Sequence, residues 1–122
     1  MFKVEDDVFK VTRGDRGIVT FSIDDYTFEA GDIIKFKIYN KKGLDLPPVF
    51  YKEIVVESAC ESVDIYLTSE DTKIGELLNK RKEYWYEIEL NENQTIKCYD
   101  DDGAKLFYLY PEGADKDDKG EE

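Results

Sequence analysis

The chain has 122 residues, a formal net charge of −12, a hydrophobic content of 41% and no histidine. This length predicts one domain with one hydrophobic core. So acidic a surface repels phosphate and argues against a nucleic-acid partner. The lack of histidine excludes the catalytic arrangements that depend on that residue. No stretch reaches the roughly 20 apolar residues of a membrane helix, and residues 1–7 do not read as a signal peptide. The sequence therefore predicts a cytoplasmically made protein without a membrane partner.

Apolar and polar residues alternate along most of the chain, which is the period of a half-buried β-strand. The clearest case places Ile34, Phe36 and Ile38 on one face and Lys35 and Lys37 on the other. Glycine-rich turns separate the segments and supply the backbone freedom that a reversal needs. In chain order, strands are expected at residues 7–12, 18–23, 33–39, 49–57, 62–67, 83–90, 95–99 and 105–110, with a short extended piece at 26–28.

One segment, residues 69–79, favours a helix. Ser69 is a good N-cap residue, and Ile74, Leu77 and Leu78 recur at spacings of three and four. We expect about two turns there. Together these elements predict an all-β, antiparallel β-sandwich of about 7–9 strands with one short helical segment near residues 69–79. Residues 1–110 form the single domain, and residues 111–122, which are nearly all polar, are expected to be a disordered acidic tail.

Most of the candidate catalytic and metal-binding residues have a structural explanation. The carboxylate pairs at residues 24–25, 70–71 and 100–102 are typical of turns and caps, so we expect no enzyme, no catalytic residues and no cofactor. The acidic turn at 100–103 lacks the ligand spacing of a calcium loop, and two cysteines without histidine do not make a zinc site. Cys60 and Cys98 are expected to be free, half-buried thiols, with a disulfide as the second choice.

Two short motifs have both a structural and a functional interpretation. Arg13-Gly14-Asp15 spells a tripeptide that adhesion receptors bind, but it also coincides with a turn that requires the Gly and the Asp. Trp85 alternates with the core-facing tyrosines and shares its face with Glu87 and Glu89. An aromatic side chain on an outer face either marks an interface or packs beneath a loop or against the second sheet. We therefore take Trp85, Glu87 and Glu89 as the candidate interface.

Three stretches together resemble a known family. They are residues 13–15 before an alternating strand, residues 28–36, and residues 67–72 leading to 84–90 and 94–96. This pattern is similar to the N-terminal domain of baseplate upper proteins of tailed phages and prophages of Gram-positive bacteria. The resemblance covers roughly residues 8–110 and implies an immunoglobulin-like β-sandwich that acts as a structural part of a virion.

The resemblance implies a non-enzymatic component of a baseplate, tail, neck or capsid, assembled in the bacterial host cytoplasm. Its partners would be other virion proteins and further copies of the chain, because small sandwiches assemble through edges and loops. The alternative is a carbohydrate-binding β-sandwich. In that case exposed aromatic residues, with Tyr66, Trp85 and Tyr99 as candidates, would stack on sugar rings.

Overall fold

The computed structural model describes residues 1–41, 47–91, 94–97, 99–100 and 103–112, with side chains for 1–41, 47–91 and 106–112. Ten β-strands run through these residues, and no helix is found among them. The chain is therefore all-β, as predicted. The strands are β1 Phe2–Glu5, β2 Val8–Thr12, β3 Gly17–Phe21, β4 Ile33–Tyr39, β5 Phe50–Val55, β6 Val63–Leu67, β7 Lys82–Leu90, β8 Gln94–Lys97, β9 Tyr99–Asp100 and β10 Gly103–Tyr110.

The strands form a large mixed sheet and a small two-stranded sheet, arranged like a β-sandwich. The large sheet has the order β1-β2-β10-β7-β4-β5, with β8 beside β7 and β9 beside β10. The small sheet pairs β3 with β6. The expectation of a wholly antiparallel sandwich is wrong, because β10 pairs with β2 in parallel and antiparallel with β7. Alternation within one strand gives no information on the direction of its neighbour, which the chain path decides.

The core lies between the two sheets and is rich in aromatic rings. Phe9 is at its centre, with ring centroids 4.8 Å from Tyr86, 5.2 Å from Phe107 and 5.5 Å from Phe36. The small sheet contributes Phe21, Val63, Ile65 and Leu67 to the same cluster. Every second residue of β4, β6 and β7 turns inward, so the period of the sequence correctly predicted the buried face of these strands.

The first strand was not anticipated from the sequence. β1 and β2 form a hairpin in which Glu5 pairs with Val8, so that Asp6 and Asp7 alone make the turn. Both have positive φ, 52° and 65°. Two such residues are characteristic of a type I′ turn, which matches the twist of the flanking strands and accepts Asp. The signal in the sequence was Phe2 and Val4 alternating before two aspartates.

The helix expected at residues 69–79 is not formed. A single turn follows β6, in which Thr68 and Asp71 exchange hydrogen bonds between side chains and backbone amides. The chain then leaves the helical path at Gly75, whose φ is +66°. The Arg13 guanidinium accounts for this, because it donates hydrogen bonds to the carbonyls of Ile74 and Gly75. Those carbonyls face another part of the protein, so the spacing of Ile74, Leu77 and Leu78 does not produce a helix.

The expected acidic tail falls almost entirely outside the described residues, which end at Glu112. Glu112 itself is anchored, since its carboxylate lies 2.8 Å from Nη1 of Arg13. Among the described residues, no helix is long and apolar enough to span a membrane.

Candidate protein-interaction surface

Trp85, Glu87 and Glu89 lie together on the outer face of the large sheet. β7 turns Tyr84, Tyr86, Ile88 and Leu90 toward the core, which leaves the three intervening residues on the opposite side. Their neighbours across the β4–β7 ladder are Tyr39, Lys37 and Lys35 respectively. We call this group of six residues the Trp85 face. The structure thus brings the three candidate interface residues onto one surface.

The charges of the Trp85 face are largely matched within the sheet. Nζ of Lys37 lies 2.8 Å from the Glu89 carboxylate and 3.9 Å from that of Glu87. The Tyr39 hydroxyl donates a hydrogen bond of 3.2 Å to Glu87. Opposite charges on directly paired residues stabilise neighbouring strands. Glu87 and Glu89 therefore have a structural role in joining β4 to β7, whatever else this face contacts.

Trp85 is half-buried on the surface of the sheet. Its register neighbours are Tyr39 on β4 and Leu106 on β10. Tyr39 keeps only 7% of its surface exposed although it lies on the outer face. The interpretation that Trp85 packs against the second sheet is wrong, because the second sheet covers the other face. The aromatic centre of this surface is therefore partly shielded from solvent.

The more exposed apolar surface lies one strand farther, on β5. Val49, Tyr51 and Val55 expose 46%, 46% and 56% of their surfaces. β5 pairs with β4 alone among the described strands, so its other side is an unpaired edge. The Val56 amide donates a hydrogen bond to the Asp32 carbonyl of the neighbouring segment. Because hydrogen-bonded and non-hydrogen-bonded pairs alternate along an antiparallel ladder, the backbone groups of Tyr51, Glu53 and Val55 point away from β4. We call these residues, with Val49, the β5 edge.

Polar contacts hold the β5 edge in place. The Tyr51 hydroxyl donates a short hydrogen bond to Glu53. That bond, together with burial and the negative charges of Glu53 and Glu89, raises the pKa of Tyr51 to about 12. On the inner side, Nζ of Lys52 bonds the Tyr66 carbonyl of β6 and lies 2.8 Å from the Asp71 carboxylate. β5 is therefore tied to the small sheet, while its outer side stays open.

The aromatic residues proposed for sugar stacking do not form a common platform. Tyr66 is 44% exposed on the outer face of the small sheet, and Trp85 lies on the outer face of the large one. The sandwich separates the two rings. The side chain of Tyr99 lies outside the described residues. Sugar-binding sites of this kind need rings on one surface, so the geometry gives the carbohydrate interpretation no support.

The Arg13-Gly14-Asp15 turn is built into the structure. The Arg13 side chain, only 11% exposed, pairs with Glu112. Gly14 has a φ of +92°, and its amide donates to the Thr72 hydroxyl at 2.9 Å. The Asp15 carboxylate contacts the backbone nitrogen of Met1. The largely buried Arg13 and the intramolecular contact of Asp15 give the motif a structural role, which supports the turn interpretation.

Carboxylates in the loops have local roles where their contacts are visible. Asp32 accepts hydrogen bonds from the Glu29 amide at 3.0 Å and the Tyr26 hydroxyl at 2.7 Å. These bonds lower the pKa of Asp32. The same contact raises the pKa of Tyr26 to about 12. Within the described ranges, no three His, Cys, Asp or Glu side chains converge as metal ligands.

The prediction of a free, half-buried thiol is confirmed for Cys60. Its backbone exchanges two hydrogen bonds with Phe28. Cys98 lies outside the described residues.

The more exposed apolar residues lie on β5, one strand farther out in the sheet than Trp85, Glu87 and Glu89. Residues 49–57 were recognised as a strand, yet strand order cannot be read from alternation, so the edge position of β5 was missed. A signal was present, because Val49, Tyr51 and Val55 are apolar at outward positions, where an inner strand of this sheet carries Lys35 and Lys37.

Comparison of the chain with protein-family models, with curated proteins and with solved structures finds no match.

Proposed function

We propose that this chain is a non-enzymatic, protein-binding structural component of a tailed phage or prophage virion, assembled in the bacterial host cytoplasm. Its partners are further copies of itself and other virion proteins. Support comes from the resemblance of residues 13–15, 28–36, 67–72, 84–90 and 94–96 to baseplate upper proteins and from an exposed apolar edge on the sandwich. The high negative charge keeps such a part soluble before assembly.

We further assign the sandwich to the immunoglobulin-like type. In that fold the second and fifth of seven principal strands share one sheet, and the third, sixth and seventh share the other. If β2 is taken as the first principal strand, β3 and β6 correspond to the former pair, and β4, β7 and β10 to the latter set. β5 then occupies the edge position beside the third strand, as in variable-type domains.

The observation that carries the binding function is the β5 edge. Among the residues with described side chains, three of the seven exposed large apolar ones belong to it, and no described strand pairs with its outer side. Soluble proteins protect exposed edges with charges, prolines or bulges, because an unpaired strand recruits another chain. Glu53 is the single charge on the outer side of this strand. An interface explains the apolar residues on either side of it.

The position of Glu53 bears on the symmetry of the assembly. A two-fold antiparallel pairing that places Tyr51 opposite Val55 also places Glu53 opposite its own copy, and like charges directly opposite are destabilising. A head-to-tail contact between the β5 edge and another surface avoids this. Such heterologous contacts form rings when the rotation between neighbouring copies closes, and rings are the symmetry of phage tails and baseplates. We therefore expect a ring rather than an isologous dimer.

Light scattering after size exclusion, at two protein and two salt concentrations, tests this function. We expect a closed oligomer in the unmodified protein. Val55→Glu should dissociate it, because the new carboxylate falls at a position that is 56% exposed in the monomer and buried in the interface. Leu77→Glu is the matched control, since Leu77 is 77% exposed on a loop away from β5.

The outcomes separate the parts of the proposal. Dissociation by Val55→Glu alone supports an assembly through the β5 edge. An oligomer that tolerates Val55→Glu shows that another surface forms it and removes the role of β5. A strict monomer under all four conditions removes self-assembly, and copurification with neighbouring virion proteins then decides whether the chain is a virion component at all.

A further inference from the structure

A second opening lies on the opposite margin of the sandwich, where β1 faces β3. A cleft of about 250 Å³ enters the core there. Its walls are Val4 and Phe9 of the large sheet and Val19 and Phe21 of the small sheet, and Tyr86 and Ile88 form its floor. Asp7, Thr20 and Ser22 complete the lining, which therefore combines apolar and polar residues. Val4 points toward the interior side of its sheet, yet it is 37% exposed, because nothing among the described residues covers it.

Beside this cleft, β3 has an unpaired edge. Its ladder with β6 runs from Gly17↔Leu67 to Phe21↔Val63. The Thr68 amide, just beyond this ladder, donates to the Asp71 carboxylate and not to β3. The hydrogen-bonded pairs of the ladder therefore begin at Gly17 and continue at every second residue, Val19 and Phe21. The backbone groups of Ile18 and Thr20 therefore point to the free edge. No described residue bonds them.

The surroundings of the cleft are acidic. Ser22, at its end, also borders a neighbouring depression that is lined by Asp24, Asp25 and Glu61. All three carboxylates are exposed, and no ion pair joins them to another described residue. This local charge disfavours an acidic segment at the cleft and favours a segment with basic residues.

We propose that this cleft, here named the β3 cleft, binds an extended, basic strand of a partner protein by β-strand addition to β3. The strand pairs with the backbone groups of Ile18 and Thr20 and inserts alternate apolar side chains between Val4 and Val19. Its lysines or arginines lie toward Asp24, Asp25 and Glu61. Main-chain hydrogen bonds provide affinity in this mode, and the pocket for alternate side chains provides specificity. The site is separate from the β5 edge and does not require the assembly proposed for it.

A synthetic peptide of the sequence Lys-Val-Thr-Val-Thr-Val-Lys is the probe. It is titrated into the ¹⁵N-labelled full chain, and backbone amide shifts are followed by NMR. We expect saturable shifts at Ile18 and Thr20, with little change at Tyr51 or Val55. A peptide of the same composition without alternation, and one with glutamates in place of both lysines, should each bind at least about tenfold more weakly.

Val4→Phe is the decisive variant, because the larger ring fills the cleft from a partly exposed position while leaving the core intact. We expect it to weaken the peptide at least about tenfold and to leave the free energy of unfolding unchanged or raised. Val55→Phe, the same substitution on the β5 edge, is the matched control and should not affect peptide binding.

Other results overturn the proposal. Absence of binding at millimolar peptide, equal binding of the non-alternating peptide, or full binding to Val4→Phe would each exclude strand addition at the β3 cleft. Shifts at Ile18 and Thr20 that depend on protein concentration without peptide would assign the cleft to a second copy instead. Failure of the β5 oligomer leaves these readouts unaffected, so the two proposals fail independently.

Discussion

The two margins of the sandwich are closed in different ways. Where β5 faces β6, Lys52 crosses from the large sheet to the Tyr66 carbonyl and to Asp71. Where β1 faces β3, the Phe2 ring covers Gly17, and beyond it the smaller Val4 and Val19 leave a cleft. The first margin is bridged by a charged side chain that brings its own hydrogen bonds. The second is closed only as far as one ring reaches.

The comparison shows what closes a sandwich at its edges. Interior residues meet across the sheets wherever both strands are covered, but at a margin the strands diverge and short side chains no longer touch. A lysine can span that gap, because its aliphatic stem packs on apolar surface while its amine reaches a polar partner. Val4 and Val19 have no such reach. The β1–β3 margin therefore leaves a cleft between the two sheets, whereas at the β5–β6 margin Lys52 fills that space and only the outer side of β5 stays unpaired among the described strands.

The largest expected effect concerns the Phe2 ring, which covers one end of the β1–β3 margin. A methyl group on Gly17 would lie 2.2 Å from Cγ of Phe2, so Gly17→Ala forces the ring off β3 and out of its edge-on contact with Phe9. We expect a loss of about 1–3 kcal/mol in the free energy of unfolding, measured by urea denaturation. In a Phe2→Ala background the same substitution should cost below about 0.5 kcal/mol. Equal costs in both backgrounds would show that Phe2 does not determine the requirement for glycine.

Two buried threonines test how the loop that follows β6 is anchored. The Thr72 hydroxyl accepts from the Gly14 amide and donates to the Asp15 carbonyl, both at 2.9 Å. The Thr12 hydroxyl is buried as well, but it has no hydrogen-bond partner among the described residues. Thr72→Val should cost about 1–3 kcal/mol in unfolding free energy, whereas Thr12→Val should be neutral or stabilising. Similar costs for both, by thermal or urea denaturation, would contradict this assignment.

The smallest expected effect is the pH dependence of the Lys52–Asp71 bridge at the β5–β6 margin. Burial by itself raises the pKa of Asp71, but hydrogen bonds from Lys52 and Thr68 outweigh it, so the pKa lies below its ordinary value. Because the folded pKa is lower than the unfolded one, this contribution to stability is complete above about pH 4 and is lost as the pH falls through the folded pKa.

Asp71→Asn should therefore lower the free energy of unfolding by about 1 kcal/mol at neutral pH and flatten its decline below about pH 4. Glu70→Gln is the control, because Glu70 is 86% exposed in the same loop and exposed ion pairs contribute little. Urea denaturation across the acidic range is the measurement. An equal effect of the two substitutions would mean that the bridge to Lys52 does not stabilise this margin.

Much of the local structure was predictable from the sequence. The bounds of β4 were predicted to the residue, and β6 and β7 to within one residue, because their apolar residues alternate without interruption. The helix at residues 69–79 failed because its signal, the spacing of Ile74, Leu77 and Leu78, is local, while the contact that prevents it comes from Arg13, some 61 residues earlier. Trp85, Glu87 and Glu89 share an outer face, as the alternation in β7 predicted.

The sequence by itself determined the all-β class, the buried face of each strong strand and the acidic surface, because these depend on residue type and on a period of two. The tertiary structure alone decided which strands lie at the edges, that β2 and β10 run in parallel, and that Lys52 bridges one margin while Val4 and Val19 leave the other open. Those properties depend on which distant segments become neighbours, and alternation within a strand is the same at an edge as at the centre of a sheet.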